Sequence, residues 1–243
     1  MSDSDVARRA TAELVGTALL VAIVIGSGIY AQRLSPNDVG LQLLENSIAT
    51  GAGLVALILA FGPVSGAHFN PMVTLADRFS GGLTTRDAAA YVVAQIAGSC
   101  LGAVVANLMF DLDAINLSDR DRSSGGLWLG EAVATFGLLM IIFGVVRSGR
   151  GNYAPFAVGA YITAAYWFTS STSFANPAVT IGRMFSNTFA GIKPSSVPAF
   201  IAFQCVGGMA AVLLAKFLYP TGPQSSTTAA GGSSAVISRT PNP

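Results

Sequence analysis

The chain has few of the residues from which soluble surfaces are built. Only 10% of its 243 residues are charged, whereas 52% are hydrophobic and the mean hydropathy is +0.59. Because ordinary soluble domains carry about 25% charged residues, this composition excludes a fully water-exposed surface and predicts a protein that faces lipid. The formal net charge is +1. Since a phosphate-binding face needs clustered basic residues, nucleic acid is excluded as a partner.

Cysteine and histidine are equally scarce. The two cysteines, Cys100 and Cys205, lie inside apolar runs, and His68 is the single histidine of the sequence. These numbers exclude a disulfide framework and leave too few ligands for a metal site. No nucleophile stands at a suitable spacing from a base. We therefore expect neither a cofactor nor an enzyme.

Long apolar runs are what the chain has in abundance. Six of them meet or approach the length of about 20 residues that a helix needs to cross a bilayer. They are Thr11–Ala31, Leu41–Phe61, Ala88–Phe110, Leu127–Val146, Ala154–Thr172 and Val197–Leu218. We predict an all-α membrane protein with six transmembrane helices, of which the first is a retained span and not a cleaved signal.

The runs also predict the organisation of the chain. Residues 1–10 form an N-terminal segment, residues 11–219 the membrane domain, and residues 220–243, which lack a periodic apolar face, a disordered tail. Six spans place both termini on one side of the membrane. That side collects seven Lys and Arg residues before the tail, against five on the other. Because basic loop residues favour the cytoplasm, both termini are predicted there.

A repeated segment divides the membrane domain into two halves, residues 11–110 and 127–218. Eleven positions from Asn70 and eleven from Asn176 share six identities. Each half contains three spans, so the two copies must be inserted in opposite orientations. Inverted repeats of this kind are typical of membrane pathways formed between two halves.

Each copy of the repeat predicts a short helix that begins inside the protein. Asparagine is a preferred N-cap and proline a preferred first helical residue. With opposite orientations, the two helix N-termini meet near mid-membrane. There the carboxamides of Asn70 and Asn176 can donate to a passing solute, and the positive ends of the two helix dipoles repel cations. The repeat therefore predicts a pore.

These motifs resemble those of the major intrinsic proteins, the aquaporins and aquaglyceroporins. The resemblance covers about residues 10–218. It rests on the block Ser-Gly-Ala-His-Phe-Asn-Pro-Met at residues 65–72, the Asn-Pro-Ala signature at residues 176–178, and Glu-x-x-x-Thr at residues 13 and 131. It implies a bundle of six helices and two half-helices that forms one pore per chain, lies in membrane lipid and assembles as a homotetramer.

The resemblance also assigns roles to individual residues. The pore motifs are Asn70, Pro71 and Met72 in the first half and Asn176, Pro177 and Ala178 in the second, with Met72 where the family usually has alanine. The glutamates Glu13 and Glu131 match residues that accept backbone N–H groups of the re-entrant loops, which we prefer to a proton relay. His68 matches a histidine that lines the inner vestibule.

The sequence departs from most relatives at the selectivity filter. Val179 stands where they have arginine, and Thr50 stands where water-selective relatives place a bulky aromatic residue. Both differences widen the filter and reduce its positive charge. The resemblance adds Ser173 and leaves two registers for the fifth-span residue, Ala164 and Tyr166.

Arg183 follows Val179 by four residues and so lies one helical turn further along the same face. It could restore charge at the pore mouth, although it cannot occupy the constriction itself. The plainer interpretation is that Arg183 and the matching Asp77 only mark the ends of the two half-helices.

These features predict a passive channel for small neutral solutes. The expected solutes are glycerol-like polyols, water, and undissociated arsenous acid or methylated arsenicals. In having valine at this filter position, the chain resembles bacterial aquaglyceroporins associated with arsenic resistance. This resemblance implies that the protein lies in a bacterial plasma (inner) membrane. The alternatives are a water-selective aquaporin, a closed structural bundle, and an ion-coupled transporter. A transporter would need intramembrane carboxylates facing its substrate.

Overall fold

The computed structural model describes residues 3–220, and the predicted disordered tail lies almost wholly outside the described residues. Within this part of the chain there are eight α-helices and two short 3-10 helices, at Gly151–Tyr153 and Pro194–Ser196. The α-helices are α1 (Asp3–Leu34), α2 (Val39–Ser65), α3 (Pro71–Phe79), α4 (Thr85–Met109), α5 (Gly125–Arg147), α6 (Ala154–Phe168), α7 (Pro177–Arg183) and α8 (Val197–Leu218). The predicted all-α fold of six long helices and two half-helices is confirmed.

Five helices of the described chain are long and apolar enough to cross a membrane: α1, α2, α4, α5 and α8. The sixth, α6, has only 15 residues. It ends at Phe168, four residues before the predicted end of the span, because the chain beyond it leaves the helix to form a re-entrant loop. At the other end of the chain, α1 begins at Asp3, so residues 3–10 are helical and continuous with the rest of α1.

Small residues allow the long helices to pack closely, and the two halves do so in the same way. In the first half α1 packs on α4, and in the second α5 packs on α8. Gly98 of α4 lies against the backbone carbonyl of Leu14, and Gly207 of α8 lies against that of Ala132. A Cβ atom on either glycine would overlap the carbonyl, so these crossings require glycine.

The half-helices α3 and α7 begin as the sequence predicts. Asn70 and Asn176 are their N-caps, in extended conformations with φ of −153° and −158°. The Asn70 side chain accepts from the N–H of Met72, and the Asn176 side chain accepts from those of Ala178 and Val179. Each cap therefore satisfies backbone donors that the first turn of a helix leaves free.

The loops that lead into the half-helices share an unusual backbone. In the first loop Ala67 and Phe69 have positive φ values of 51° and 50°, and in the second Ser173 and Ala175 have 52° and 49°. Non-glycine residues adopt this conformation only when surrounding contacts hold them there. Gly66 and Thr172, which directly precede Ala67 and Ser173, also have positive φ, so the same backbone pattern occurs in both copies of the repeat.

Two long connections pack on each other at the end of the molecule where α7 finishes. Residues 110–124 join α4 to α5, and residues 184–196 join α7 to α8. The N–H of Ser118 donates to the carbonyl of Met184 (2.9 Å), and that of Lys193 donates to the carbonyl of Arg120 (2.8 Å). These backbone bonds fix the wall of the molecule beside the end of α7.

Candidate functional site: a pore where two half-helices meet

The tips of the two half-helices are in direct contact. The Asn70 carboxamide nitrogen donates to the carbonyl of Ala175 (2.8 Å), and the Asn176 carboxamide nitrogen donates to the carbonyl of Phe69 (2.8 Å). Each nitrogen carries two N–H groups, so these bonds use one N–H per carboxamide. Both asparagines also line the central cavity.

A buried glutamate holds the first re-entrant loop. Glu13 of α1 has no exposed surface. One carboxylate oxygen accepts from the Ser65 hydroxyl (2.6 Å) and the His68 N–H (2.9 Å). The other accepts from the Phe69 N–H (2.7 Å) and the Gln95 amide (2.8 Å). Four donors therefore stabilise the carboxylate and hold the loop in its positive-φ conformation.

The second loop is held in the same way. Glu131 of α5 is also fully buried. Its oxygens accept from the N–H groups of Phe174 and Ala175, both at 2.9 Å, and from the Gln204 amide at 2.6 Å. Neither glutamate lines the cavity. The structure thus places both carboxylates on backbone N–H groups, as the resemblance implies, and away from the path of a solute.

The repeat motif contributes a further contact that the sequence signals but does not explain. Thr74 and Thr180 are among the six identical positions of the two copies. The Gln95 amide also donates to the Thr74 hydroxyl, and the Gln204 amide to that of Thr180, both at 2.9 Å. Each glutamine therefore links the buried glutamate to the first turn of a half-helix.

A cavity of about 250 Å³ runs between the two halves and past their meeting point. His68 and Asp77 line it on one side of the asparagines, and Thr50 and Val179 line it on the other. Thr50 lies 15 residues before the end of α2, about 22 Å along the helix axis. The cavity thus has two ends, which we call the His68 end and the filter end.

Four of the five predicted filter residues meet at the filter end. Thr50, Tyr166, Ser173 and Val179 are buried and line the cavity. The hydroxyls of Thr50 and Tyr166 are hydrogen bonded to each other at 3.1 Å. The hydroxyl of Ser173 has no hydrogen-bond partner within residues 3–220.

The fifth predicted filter residue, Ala164, lies elsewhere. It is exposed and does not line the cavity. Two residues of an α-helix are separated by about 200° of rotation, so Ala164 and Tyr166 point in opposite directions from α6. Of the two registers that the sequence leaves open, the structure brings only that of Tyr166 to the filter.

The remaining members of the pore motifs pack behind the cavity wall. Pro71 and Pro177 are the first residues of α3 and α7 and are buried. Met72 is buried against α8, where the Cys205 thiol lies 3.8 Å from its sulfur. The carbonyl of Ala178 accepts from the hydroxyl of Ser99 (2.6 Å). Since these residues do not line the cavity, the asparagines are the motif residues that a solute can reach.

The His68 end is polar and braced by an aromatic ring. One ring nitrogen of His68 is 3.2 Å from the Thr74 hydroxyl, and its ring packs edge-on against Tyr91 at a centroid distance of 5.5 Å. The Tyr91 hydroxyl donates to the carbonyl of Ser65 (2.8 Å). His68 therefore contributes to the cavity wall from a fixed position.

Several known proteins are similar to this chain in sequence, in fold or in both. The family model described as "Major intrinsic protein" matches residues 1–173. The "Aquaglyceroporin AqpS" of Rhizobium meliloti is 51% identical over 218 residues, which are 90% of this chain and 93% of the relative. The "Probable aquaporin AqpM" of Archaeoglobus fulgidus is 29% identical over 240 residues, with 87% and 97% covered.

A solved structure adds evidence for the fold. The X-ray structure of the aquaglyceroporin from Plasmodium falciparum matches with a TM-score of 0.68 at 20% sequence identity, covering 89% of this chain and 96% of the other. Together with the paired half-helices, these similarities show an integral membrane protein without enzymatic activity. The chain belongs to the major intrinsic protein family of membrane channels.

Proposed function

We propose that the chain is a passive channel for small uncharged solutes, chiefly glycerol-like polyols and water. The observation that carries the proposal is the composition of the filter end, where three hydroxyl-bearing residues and Val179 line the cavity and no arginine occupies position 179. We further propose a homotetramer in a bacterial plasma membrane, with the termini in the cytoplasm and the filter end facing outward.

The unpaired hydroxyl of Ser173 supports a hydroxylated solute. A buried polar group without a partner costs free energy, and native structures keep few of them. Ser173 lines the cavity, although its hydroxyl oxygen is itself buried in the wall. A rotation of the side chain would bring this hydroxyl to a solute oxygen at the filter, which would supply the partner that the protein does not. The hydroxyls of Thr50 and Tyr166 add further donor and acceptor positions, and Val179 faces the carbon skeleton.

The walls of the cavity support a neutral solute. Leu20, Val24, Leu138 and Ile162 line much of it, and they cannot replace the hydration shell of an ion. The glutamates Glu13 and Glu131, which an ion-coupled transporter would need at the substrate, are occupied by the loops and lie off the path. This arrangement favours a channel over a coupled transporter.

Undissociated arsenous acid and methylated arsenicals are proposed as further solutes. Arsenous acid is neutral, similar in size to glycerol, and presents hydroxyl groups around a compact centre. A filter that admits glycerol by hydroxyl contacts and sufficient width should admit it for the same reasons. The aquaglyceroporin of Rhizobium meliloti is 51% identical to this chain over 218 residues, which supports glycerol-like solutes.

The test is solute flux in proteoliposomes for the parent and for Val179→Arg, with water, glycerol, urea and arsenite in one preparation. The added guanidinium should narrow the filter and reduce glycerol and arsenite flux about tenfold, which corresponds to about 1.4 kcal/mol of barrier, with a smaller effect on water. Val179→Ala is the matched control, because it removes the valine without adding bulk or charge, and it should keep the parent's glycerol flux. An unchanged ratio of glycerol to water flux in Val179→Arg would show that residue 179 does not set the size limit.

A further inference from the structure

Arg183 is a buried charge for which folding alone offers little explanation. It is the last residue of α7, is only 2% exposed, and lines the same cavity as Val179. Among the described residues no carboxylate lies within ion-pairing distance of it. A buried charge without a paired partner is costly. Its retention in the cavity wall calls for a function.

Two contacts hold the guanidinium of Arg183 in place and leave most of its N–H donors without an acceptor. Its Nε–H donates to the carbonyl of Ala190, and its central carbon lies 3.3 Å from the centroid of the Phe174 ring. An arginine has five N–H groups. Within residues 3–220 the four on Nη1 and Nη2 find no acceptor. The side chain is therefore held in place without having its donors used up.

A second arginine nearby, Arg122, has only structural contacts and can be compared with Arg183. Arg122 lies over the same Phe174 ring at 4.8 Å. Its Nε–H donates to the carbonyl of Gly191 (2.9 Å) and its Nη1 to that of Ser171 (3.3 Å), and it does not line the cavity. Arg122 links two loops by hydrogen bonds, whereas Arg183 lines the cavity and has donors that no hydrogen bond within residues 3–220 uses.

The position of Arg183 relative to the filter decides what its charge can do. Four helical residues span about 6 Å, so the residue lies one turn beyond Val179, on the side away from the asparagines. This separation is within the distance over which charges act at physiological salt. The charged groups that interact electrostatically with it are Glu131, whose carboxylate is already occupied by three donors, and Arg120 and Arg122, which add positive charge.

We propose that Arg183 is the residue that excludes cations from this pore, acting from one turn beyond the filter. This inference rests on the proposed function, because a barrier to cations matters only in a channel that is open to neutral solutes. A fixed positive charge beside a narrow apolar path raises the barrier for protons and metal cations. Because Arg183 lies outside the filter, its charge does not narrow the opening that Thr50, Tyr166 and Val179 surround.

The test measures cation leak and glycerol flux in the same proteoliposomes. Proton influx under an imposed membrane potential is followed with an entrapped pH-sensitive dye, and glycerol flux shows that the pore is open. Arg183→Gln should raise the proton leak about tenfold, or about 1.4 kcal/mol of barrier. Arg183→Lys keeps the charge and should retain most of the exclusion. Arg120→Gln removes an exposed charge close by that does not line the cavity, and should behave as the parent.

The outcomes separate this inference from the proposed function. A folded, glycerol-conducting Arg183→Gln channel with the parent's proton leak would overturn the role of Arg183. A parent that passes water but no glycerol would instead overturn the solute class, and the comparison of leaks would still stand. If Arg183→Gln does not fold, Arg183→Met serves as the second variant, because it removes the charge but keeps an apolar side chain of similar length. Its proton leak should also rise above that of the parent, and an unchanged leak there contradicts the proposal.

Discussion

Individual positions on α6 and in the second re-entrant loop determine which side chains a solute meets. Tyr166 faces the cavity and shares a hydrogen bond with Thr50, whereas Ala164 is exposed on the opposite side of the same helix. Ser173 lines the cavity from a position of positive φ in the second re-entrant loop. At the residue scale, the filter consists mainly of hydroxyl-bearing side chains held by α2, α6 and the second re-entrant loop.

The unpaired hydroxyl of Ser173 gives a prediction in which stability and flux change differently. Ser173→Ala should lower glycerol flux by several-fold, because a hydrogen bond to the solute worth about 1 kcal/mol is lost. Its melting temperature in detergent should not fall, because no protein partner loses a bond. Flux is measured by light scattering and stability by thermal unfolding.

Ser171→Ala is the matched control for this prediction. The Ser171 hydroxyl accepts from the N–H of Ser173 at 3.2 Å, so its removal should lower the melting temperature. If Ser173→Ala destabilises the protein as much as Ser171→Ala does, then the Ser173 hydroxyl has a structural role that the contacts do not explain.

At the scale of elements, each half builds its re-entrant loop around one buried glutamate. Glu13 and Glu131 come from the first helix of each half and accept the N–H groups of the loop that precedes a half-helix. The glutamines Gln95 of α4 and Gln204 of α8 extend this network to the half-helices. The tips are therefore positioned by side chains from α1, α4, α5 and α8, together with the bonds from the two asparagines to the loop carbonyls.

Replacing a glutamate should release its loop. Glu131→Gln keeps the shape but puts an amide N–H₂ where one oxygen accepts a backbone N–H. This leaves a buried donor facing another donor, at a cost of about 3 kcal/mol. We expect a clear fall in melting temperature and loss of solute flux. Glu45→Gln is the control: Glu45 accepts from the Ser35 hydroxyl in a half-buried contact outside the loops, so its replacement should have little effect. A Glu131→Gln channel with the parent's melting temperature would contradict the role of the carboxylate.

The sequence predicts the elements that follow local rules. The half-helices begin at Asn70 and Asn176 because asparagine caps and proline starts a helix, and these rules involve adjacent residues only. The long helices follow from runs of apolar residues that must span the bilayer. Most helices therefore begin and end within a few residues of the predicted spans.

The features that the sequence does not predict depend on contacts between distant segments. The span predicted to end at Thr172 stops at Phe168, because the following residues enter the loop held by Glu131 on another helix. The choice between Ala164 and Tyr166 requires the rotation of α6, which is set by packing and cannot be counted from the motif. In the same way, the sequence places Arg183 one turn beyond Val179 but does not show that Phe174 and Ala190 fix its guanidinium in the cavity wall.

For the whole molecule, two halves enclose one continuous cavity whose polar groups are concentrated in a few places. The asparagines lie where the halves meet. Thr50, Tyr166, Ser173 and Arg183 lie at one end, and His68 and Asp77 lie at the other. Apolar side chains fill the wall between them. The buried carboxylates of Glu13 and Glu131 belong to the scaffold, and within residues 3–220 the carboxylate that lines the cavity is that of Asp77, at the His68 end.

Glycerol entry into proteoliposomes containing the purified channel tests this account most directly. After mixing with hyperosmotic glycerol, the vesicles should shrink as water leaves and then swell again quickly as glycerol enters. The rate should rise in proportion to the glycerol gradient and should not change when a proton or sodium gradient is imposed. Vesicles that shrink without rapid recovery, or whose recovery saturates and requires an ion gradient, would contradict a passive pore for small neutral solutes.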